Sequence, residues 1–396
     1  MSADTPIELS IINIAKGGDG VGRDSDGRVV FVSGALPGER VLAQLRSESK
    51  SYANATLSEV LEPSPSRVKP PCETWHRGCG GCDFMHVKPS MQPELKSRVI
   101  SDALERIGGI RGIVPLARPL RDADYRTTWR ASVKLGRASF RRARSHDSVS
   151  VSQCVVAHPL AEEILIDGRF GDAVEVVVRV GARTGDRLVV VDPTTNGVVV
   201  PDDVVVVGVD QLDAGSPAHI YEEVASRRWR ISARSFFQAS PAGADALVAS
   251  VARGSRLTDR DQPKVVDLYS GVGLLSAAHV DGAVLESVES SPSACADARV
   301  NVAASTMIRS RRVEDWRVVP VDVVVADPGR AGLKAPAVDV IAKSGAVRVV
   351  LVSCDAAAMA RDAKLLVSSG YTLDSVELID MFPNTTHTET VAIFSL

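Results

Sequence analysis

Cys354 follows the apolar run "VRVVLVS" and precedes "DAAAMARD", so a thiol stands where a buried strand is expected to end. Such a thiol either packs in a core or acts as a nucleophile, and what surrounds it decides which. Two more strand-like runs end on acids. "VVVADPGRAGL" closes on Asp327, and "VVDLYSGVGLLSAA" carries Asp267 into a turn with Gly271 and Gly273. In an open α/β sheet, ligands bind beyond the carboxyl ends of the strands, so Asp267, Asp327 and Cys354 are expected to share one crevice.

Gly271 and Gly273 let a backbone approach a ligand closely, and the helix start behind them supplies unpaired N–H groups. The third glycine of the dinucleotide fingerprint is absent. Glu289 ends the next strand-like run, "AVLESVE", where an acid can hold ribose hydroxyls. A nucleoside-bearing cofactor without a pyrophosphate suits this set, and S-adenosylmethionine fits best; a purely structural tight turn is the alternative. "DMFPNTTHTETVAIFSL" sets His387 and Glu389 just ahead of the last strand. Glu389 beside an apolar strand is a candidate base with a raised pKa, against the plainer reading of a strand-edge glutamate on a surface loop.

The chain has 6 cysteines. Cys72, Cys79 and Cys82 are clustered in "PPCETWHRGCGGCDFMHV", and Cys154 follows in "VSQCVVAHP". Four thiolates suit tetrahedral zinc or an iron–sulfur cluster. The spacing is not the paired C-x-x-C of a zinc ribbon, and the Gly80–Gly81 pair frees N–H groups to bond cluster sulfides, so iron–sulfur is favoured and zinc is the alternative. Cys295, in a helical stretch, reads as a core residue.

Composition bounds the rest. Apolar residues make up 45% of the chain and charged residues 24%, with a net charge of −3, the profile of an ordinary soluble protein. No run approaches the roughly 18 apolar residues of a membrane span, and "MSADTPIELS" lacks the marks of a secretory signal, so a cytoplasmic location is expected. Residues 121–144 hold eight Lys and Arg against two Asp, with Tyr125, Trp129 and Phe140 interleaved. That mix suits phosphate contacts and base stacking, or else a solvated strand face with core aromatics.

Residues 1–62 read as a small barrel of about five strands, with turns such as "KGGDGVG" and "ALPGE", and "EPSPSRVKPP" acts as a stiff linker. "MQPELKSRVISDALERIGGI" predicts a helix closed by glycines. Residues 63–235 are otherwise β-rich. From 236 to 396, buried-strand runs alternate with helical stretches, which predicts a doubly wound α/β domain with a largely parallel sheet and an antiparallel final pair.

In this order the pieces resemble the RNA 5-methyluridine methyltransferases that carry an N-terminal TRAM domain and a 4Fe-4S cluster, in particular the bacterial 23S rRNA type. The resemblance spans essentially the whole chain. "GGDGVG" and "FVSGALPGERV" resemble the TRAM barrel, an OB-like fold, and "CETWHRGCGGC" with Cys154 resembles the cluster site. "SFFQAS" resembles the loop that meets cofactor and target base, implying Gln238 for S-adenosylmethionine and Phe236 for the base. The resemblance further implies a Rossmann-like class I methyltransferase domain, cofactor contacts from Tyr269 and Glu289, Asp327 between cofactor and base, Cys354 as nucleophile and Glu389 as general base. It implies an RNA partner, ribosomal rather than transfer RNA, and a monomer. A transfer RNA enzyme and a non-catalytic RNA-binding or assembly factor are the competing readings. The chain departs from the family at "DPGR" for DPPR, at "SCDA" for SCNP and at Leu274 after the glycine turn. Asp355 is the departure of most consequence, because a negative charge beside Cys354 disfavours the thiolate unless it points away.

Overall fold

The computed structural model describes residues 6–259 and 261–396. Short alternating runs between glycine turns fold residues 7–62 into one six-stranded sheet. Its order is Ile7–Ser10, Arg40–Glu48, Tyr52–Glu62, Val29–Ser33, Gly20–Arg23 and Asn13–Ile14. The strand beyond the five expected is the two-residue Asn13–Ile14. Alternation sends Val30, Val32, Val41 and Ala43 to one shared core. Three register shifts between the two long strands bend them, as a small closed sheet requires.

The predicted helix forms over Gln92–Ala103, runs on through a wider turn at Leu104–Gly108, and stops at Gly109 in the left-handed region, φ +70°. Beyond it, a second six-stranded sheet runs Ser148–Ser150, Arg137–Arg141, Thr128–Lys134, Glu175–Val180, Arg187–Asp192 and Val205–Gly208. Its core takes in Tyr125, Trp129 and Phe140 along with Val176, Val178, Val189 and Val191. Trp129 stacks on Phe140 with ring centroids 5.0 Å apart, and the Tyr125 hydroxyl donates to the Pro383 carbonyl. These aromatics are therefore packing residues and not a base-stacking platform. The strand period explains it: in Thr128–Lys134 the buried positions alternate with exposed cations, a pattern shared by a core strand and an RNA-binding one.

The third sheet carries the chemistry. Five parallel strands run in the order Met307–Ser310, Val284–Glu289, Val265–Leu268, Val323–Ala326 and Arg348–Ser353. Thr390–Ser395 then pairs antiparallel with Arg348–Ser353, and Thr372–Ile379 pairs antiparallel with Thr390–Ser395, the predicted final pair. Both faces are covered at the centre of the sheet, so Val323–Ala326 is apolar throughout and Arg348–Ser353 nearly so. Val324 and Ala326 face one core with Leu351, Met359 and Ile341, while Val323 and Val325 face the other with Val350, Leu247 and Trp229. Each such fully buried valine contributes roughly 1.5–3 kcal/mol relative to an exposed one.

One element falls outside the expected layout. Leu116–Arg118, from the segment before the β-rich sheet, adds an eighth strand parallel to Thr372–Ile379. It covers a sheet edge that would otherwise present unpaired backbone groups. Among the described residues, no helix is long and apolar enough to cross a membrane.

Candidate functional site

The carboxyl ends of the parallel strands define the site. Cys354 directly follows Arg348–Ser353, and Glu389 directly precedes Thr390–Ser395. Those strands are antiparallel with Ser353 opposite Thr390, and the Thr390 hydroxyl donates to the Ser353 carbonyl at 3.0 Å. Cys354 and Glu389 are the residues next to this last pair, and the Glu389 charge acts on the Cys354 thiol. Asp327 ends the neighbouring strand, and its N–H donates to the Leu268 carbonyl at 3.2 Å, which ties it to the strand carrying Asp267.

The charges of these acids act on one another. Burial pushes the Asp327 carboxyl up to about 7. Glu389 is raised well above the usual carboxylate range by burial and then by the Asp327 charge. Asp267 is raised by burial, with Asp327 and Glu289 adding to it, and neither of its buried carboxyl oxygens has a hydrogen-bond partner. The half-buried Cys354 thiol is pushed up to about 11 by burial, then by Glu389 and Asp327, and is drawn back by Arg330. Arg330 is the functional side chain that sequence reading missed, although it closes the quoted "DPGR". It is an exposed cation whose charge favours the thiolate.

The glycine turn is shaped for a ligand. Gly271 and Gly273 have φ of +55° and +92°, and a Cβ on Gly273 would stand 2.3 Å from Val302 Cγ1, so only glycine fits there. Tyr269 also has a positive φ, +59°, a conformation that costs a non-glycine residue of order 1–3 kcal/mol. Glu289 Oε2 accepts from the Gly271 N–H at 3.0 Å and Oε1 from the Ser291 N–H at 2.6 Å, bracing the turn from the next strand while leaving lone pairs free for hydroxyls. Ser270 Oγ is buried beside it without a partner. Unsatisfied Asp267 and Ser270 atoms next to an open glycine turn are what a polar ligand would complete.

Residues 7–57 match the TRAM domain family. The chain is 35% identical to a Streptomyces avermitilis protein named as an uncharacterized RNA methyltransferase, over 98% of this chain and 97% of that one. A Streptomyces coelicolor protein of the same description is 34% identical over 98% of this chain and 92% of its own. The chain belongs to the RNA methyltransferases. Its fold is that of the Pyrococcus abyssi tRNA (uracil-54, C5)-methyltransferase, solved in complex with S-adenosyl-L-homocysteine. The two superpose with a TM-score of 0.75 over 98% of this chain and 100% of that one, at 22% identity.

In this methyltransferase the "SFFQAS" loop is pinned between the helix Pro292–Asn301, which follows Glu289, and Thr127. Ser235 Oγ donates to Asp297 Oδ2 at 2.6 Å, and the Thr127 N–H donates to the Ala239 carbonyl at 2.8 Å, which pins both ends of the loop. Between them Gln238 is buried, whereas Phe236 is 71% exposed. An exposed aromatic on a pinned loop is available for stacking. His387 lies on the surface of the loop before Glu389 and is not part of the buried group.

Asp355 points away from the nucleophile. It caps the helix Ala356–Ser368, accepting from the Ala357 and Ala358 N–H groups at 3.0 and 2.9 Å, and it pairs with Lys16 Nζ of the N-terminal barrel at 2.5 Å. Burial works against its charge, but the Lys16 hydrogen bond and the helix amides outweigh it and hold the carboxyl below its usual range. The charge that looked harmful beside Cys354 is spent on a helix end and a lysine.

Cys72, Cys79, Cys82 and Cys154 line one cavity of about 510 Å³ in the methyltransferase, together with Arg126, Arg130, Arg141 and Arg142. All four are free thiols. Burial raises Cys79, Cys82 and Cys154, the last to about 12, and mutual repulsion among the sulfurs adds to each shift. Four thiolates here would need a compensating positive centre. A Cβ on Gly80 would meet the Ala143 backbone at 2.7 Å, so glycine brings this loop against the neighbouring strand. Among the described residues, no three His, Cys, Asp or Glu side chains are drawn together as a single-ion site. Cys295 is buried in the core, its Sγ 3.3 Å from the Glu289 carbonyl.

Proposed function

We propose that this RNA methyltransferase uses S-adenosylmethionine to convert a uridine to 5-methyluridine, with Cys354 as nucleophile and Glu389 as general base. The observation that carries the reading is that Cys354 and Glu389 flank the last cross-strand pair, Ser353 and Thr390, with the charges of Glu389 and Asp327 both acting on the thiol. Gln238, Tyr269, Gly271, Gly273, Glu289 and Asp327 are the residues assigned to the cofactor, and Phe236 to the target base. When bound, S-adenosylmethionine supplies an electrophilic methyl group. The chain supplies what makes uracil carbon 5 able to take it. The Cys354 thiolate forms a bond to carbon 6, which moves the ring's double-bond pair toward carbon 5. After carbon 5 is methylated, the Glu389 carboxylate removes its proton, the double bond re-forms and the thiolate leaves. A base in a helix is out of reach of these groups, so the target must be unstacked, with Phe236 as a platform for it.

The barrel of residues 1–62 and the central segment 63–235 are assigned to RNA binding, and residues 236–396 to the reaction. We favour ribosomal RNA as the substrate, because a TRAM barrel and a four-cysteine site together resemble the ribosomal enzymes. The Pyrococcus abyssi structure, whose own substrate is a tRNA, supports transfer RNA as the second reading. RNA labelled with tritium at uridine carbon 5 distinguishes them. Release of tritium from ribosomal but not transfer RNA is expected, the reverse supports the second reading, and release from neither overturns the uridine chemistry.

The four cysteines are assigned to a 4Fe-4S cluster. Four thiols around one cavity, with Cys79, Cys82 and Cys154 raised by burial and then by neighbouring sulfurs, suit a group that brings positive charge with it. Anaerobically purified protein is expected to be brown and to contain about four iron atoms per chain, as a cubane held by four cysteines requires. Colourless protein holding zinc and no iron overturns this assignment.

A further inference from the structure

The loop that delivers Glu389 makes few of its fixed contacts with its own sheet. Residues 380–388 connect Thr372–Ile379 to Thr390–Ser395, and side chains from residues 83–96 hold this loop at alternate positions along it. At its start, Lys96 Nζ donates to Asp380 Oδ1 at 2.6 Å and to the Phe382 carbonyl at 3.0 Å. In its middle, the fully buried Gln92 makes a reciprocal pair with Asn384. Its Oε1 accepts from the Asn384 N–H at 2.7 Å, and its Nε2 donates to Asn384 Oδ1 at 3.1 Å. Near its end, Asp83 accepts from both the N–H and the hydroxyl of Thr386, at 2.8 and 2.9 Å.

The three grips share one support. Gln92 and Lys96 are one turn apart on the helix Gln92–Ala103, so both face the loop. Gln92 Nε2 also donates to the Val87 carbonyl at 3.0 Å, and the Phe84 N–H donates to the Asn384 carbonyl at 3.0 Å. Asp83 is the residue after Cys82. The stretch from the four-cysteine cavity to the helix is therefore bonded along the whole loop, up to three residues before the base.

We infer that residues Asp83, Gln92 and Lys96 form a splint that positions Glu389, with Asp83 linking the cysteine loop to the catalytic loop. None of the three touches the reacting atoms; each acts through the 380–388 loop, so they are positioning residues. The inference rests on the reading that Glu389 removes the carbon 5 proton. It makes a distinctive demand on the reaction. Thiol addition and methylation come before proton removal, so a displaced base leaves methylated RNA bonded to Cys354 through the carbon 6–sulfur bond. A general loss of folding would instead slow every step and trap nothing.

The test uses the full chain with uridine-containing substrate RNA and S-adenosylmethionine, resolved on a denaturing gel. Asp83 is exposed, so Asp83→Ala removes its two bonds without opening a core. Thr386→Val removes the hydroxyl of the same pair from the other side. Both variants are expected to turn over about tenfold more slowly or worse, the cost of a small misplacement of a reacting group, while accumulating a denaturation-resistant RNA–protein adduct. Their affinity for S-adenosylmethionine is expected to match the parent. Glu389→Gln is the reference and is expected to trap the adduct most fully. If it traps while Asp83→Ala and Thr386→Val turn over normally, or slow without adduct, the splint is refuted and the base assignment stands. If Glu389→Gln itself traps nothing, the base assignment fails and the positioning role fails with it.

Discussion

Cys354→Ala is expected to eliminate methyl transfer to RNA, a loss on the order of 10⁴-fold or more, as when the group that forms the covalent bond is removed from other enzymes. The change should leave the fold intact. Cys354 is half-buried and lies between a strand end and a helix cap, and neither Ser353 nor Asp355 relies on its thiol for the hydrogen bonds that end the strand and start the helix. Cofactor affinity should be unchanged, because the glycine turn and Glu289 belong to strands further along the sheet. Single-turnover transfer of labelled methyl into RNA measures the loss, and calorimetric titration with S-adenosylmethionine checks that the pocket survives. Transfer at the parent rate would remove Cys354 from the mechanism. In the free enzyme, a thiol pushed up to about 11, chiefly by burial, is overwhelmingly protonated at pH 7. Activation must therefore come with the substrates, and Arg330 is the side chain already working in that direction.

S-Adenosylmethionine is expected to bind about tenfold more weakly at pH 6 than at pH 8. The sign follows from Asp327. Its carboxyl is raised to about 7 by burial, so it is mostly neutral at pH 6 and mostly charged at pH 8. On the proposed reading the cofactor's sulfonium lies beside Asp327, and a positive charge there favours the charged form. Below pH 7 binding must therefore expel a proton, and affinity falls tenfold for each pH unit over which one proton is released. Glu389 and Asp267 are raised as well, both chiefly by burial and then by the Asp327 charge. S-Adenosylhomocysteine lacks the sulfonium charge and should show a much flatter profile. Asp327→Asn should flatten that of the cofactor too. Calorimetry in buffers of different ionisation enthalpy counts the protons directly. An affinity for S-adenosylmethionine that does not change between pH 6 and pH 8 would refute this account of the pocket.

The parts of the site that follow from local rules were legible in the sequence. Gly271 and Gly273 mark a turn because glycine suits their backbone, Asp327 and Cys354 mark strand ends because each closes an apolar run, and Asp267 lies one residue inside the end of its strand. What a linear reading does not contain is register. That Ser353 faces Thr390, and hence that Cys354 and Glu389 flank one pair, depends on how two strands slide past one another. The same limit explains Asp355. Its partners are two amides of the next turn and a lysine 339 residues earlier in the chain, and only the near pair has a sequence signature. The aromatics of residues 121–144 were ambiguous for another reason. A strand with cations on one face and rings on the other is the same string whether the rings meet a base or a core, and here they meet the core. Gln92 and Lys96 did carry a signal, two polar residues one turn apart on a buried helix face, though it names no partner.

The strand Leu116–Arg118 bears on how this protein can have been put together. Because the reaction-bearing sheet takes its last strand from the segment ahead of the β-rich sheet, the catalytic half is not a cassette that could be cut out at residue 236 and moved. An excised piece would leave Thr372–Ile379, the strand leading into the loop of Glu389, as an open edge. The segments before and after residue 236 share one backbone fabric, so insertions and fusions are expected to be best tolerated at the outer turns of the barrel and worst between residues 83 and 118.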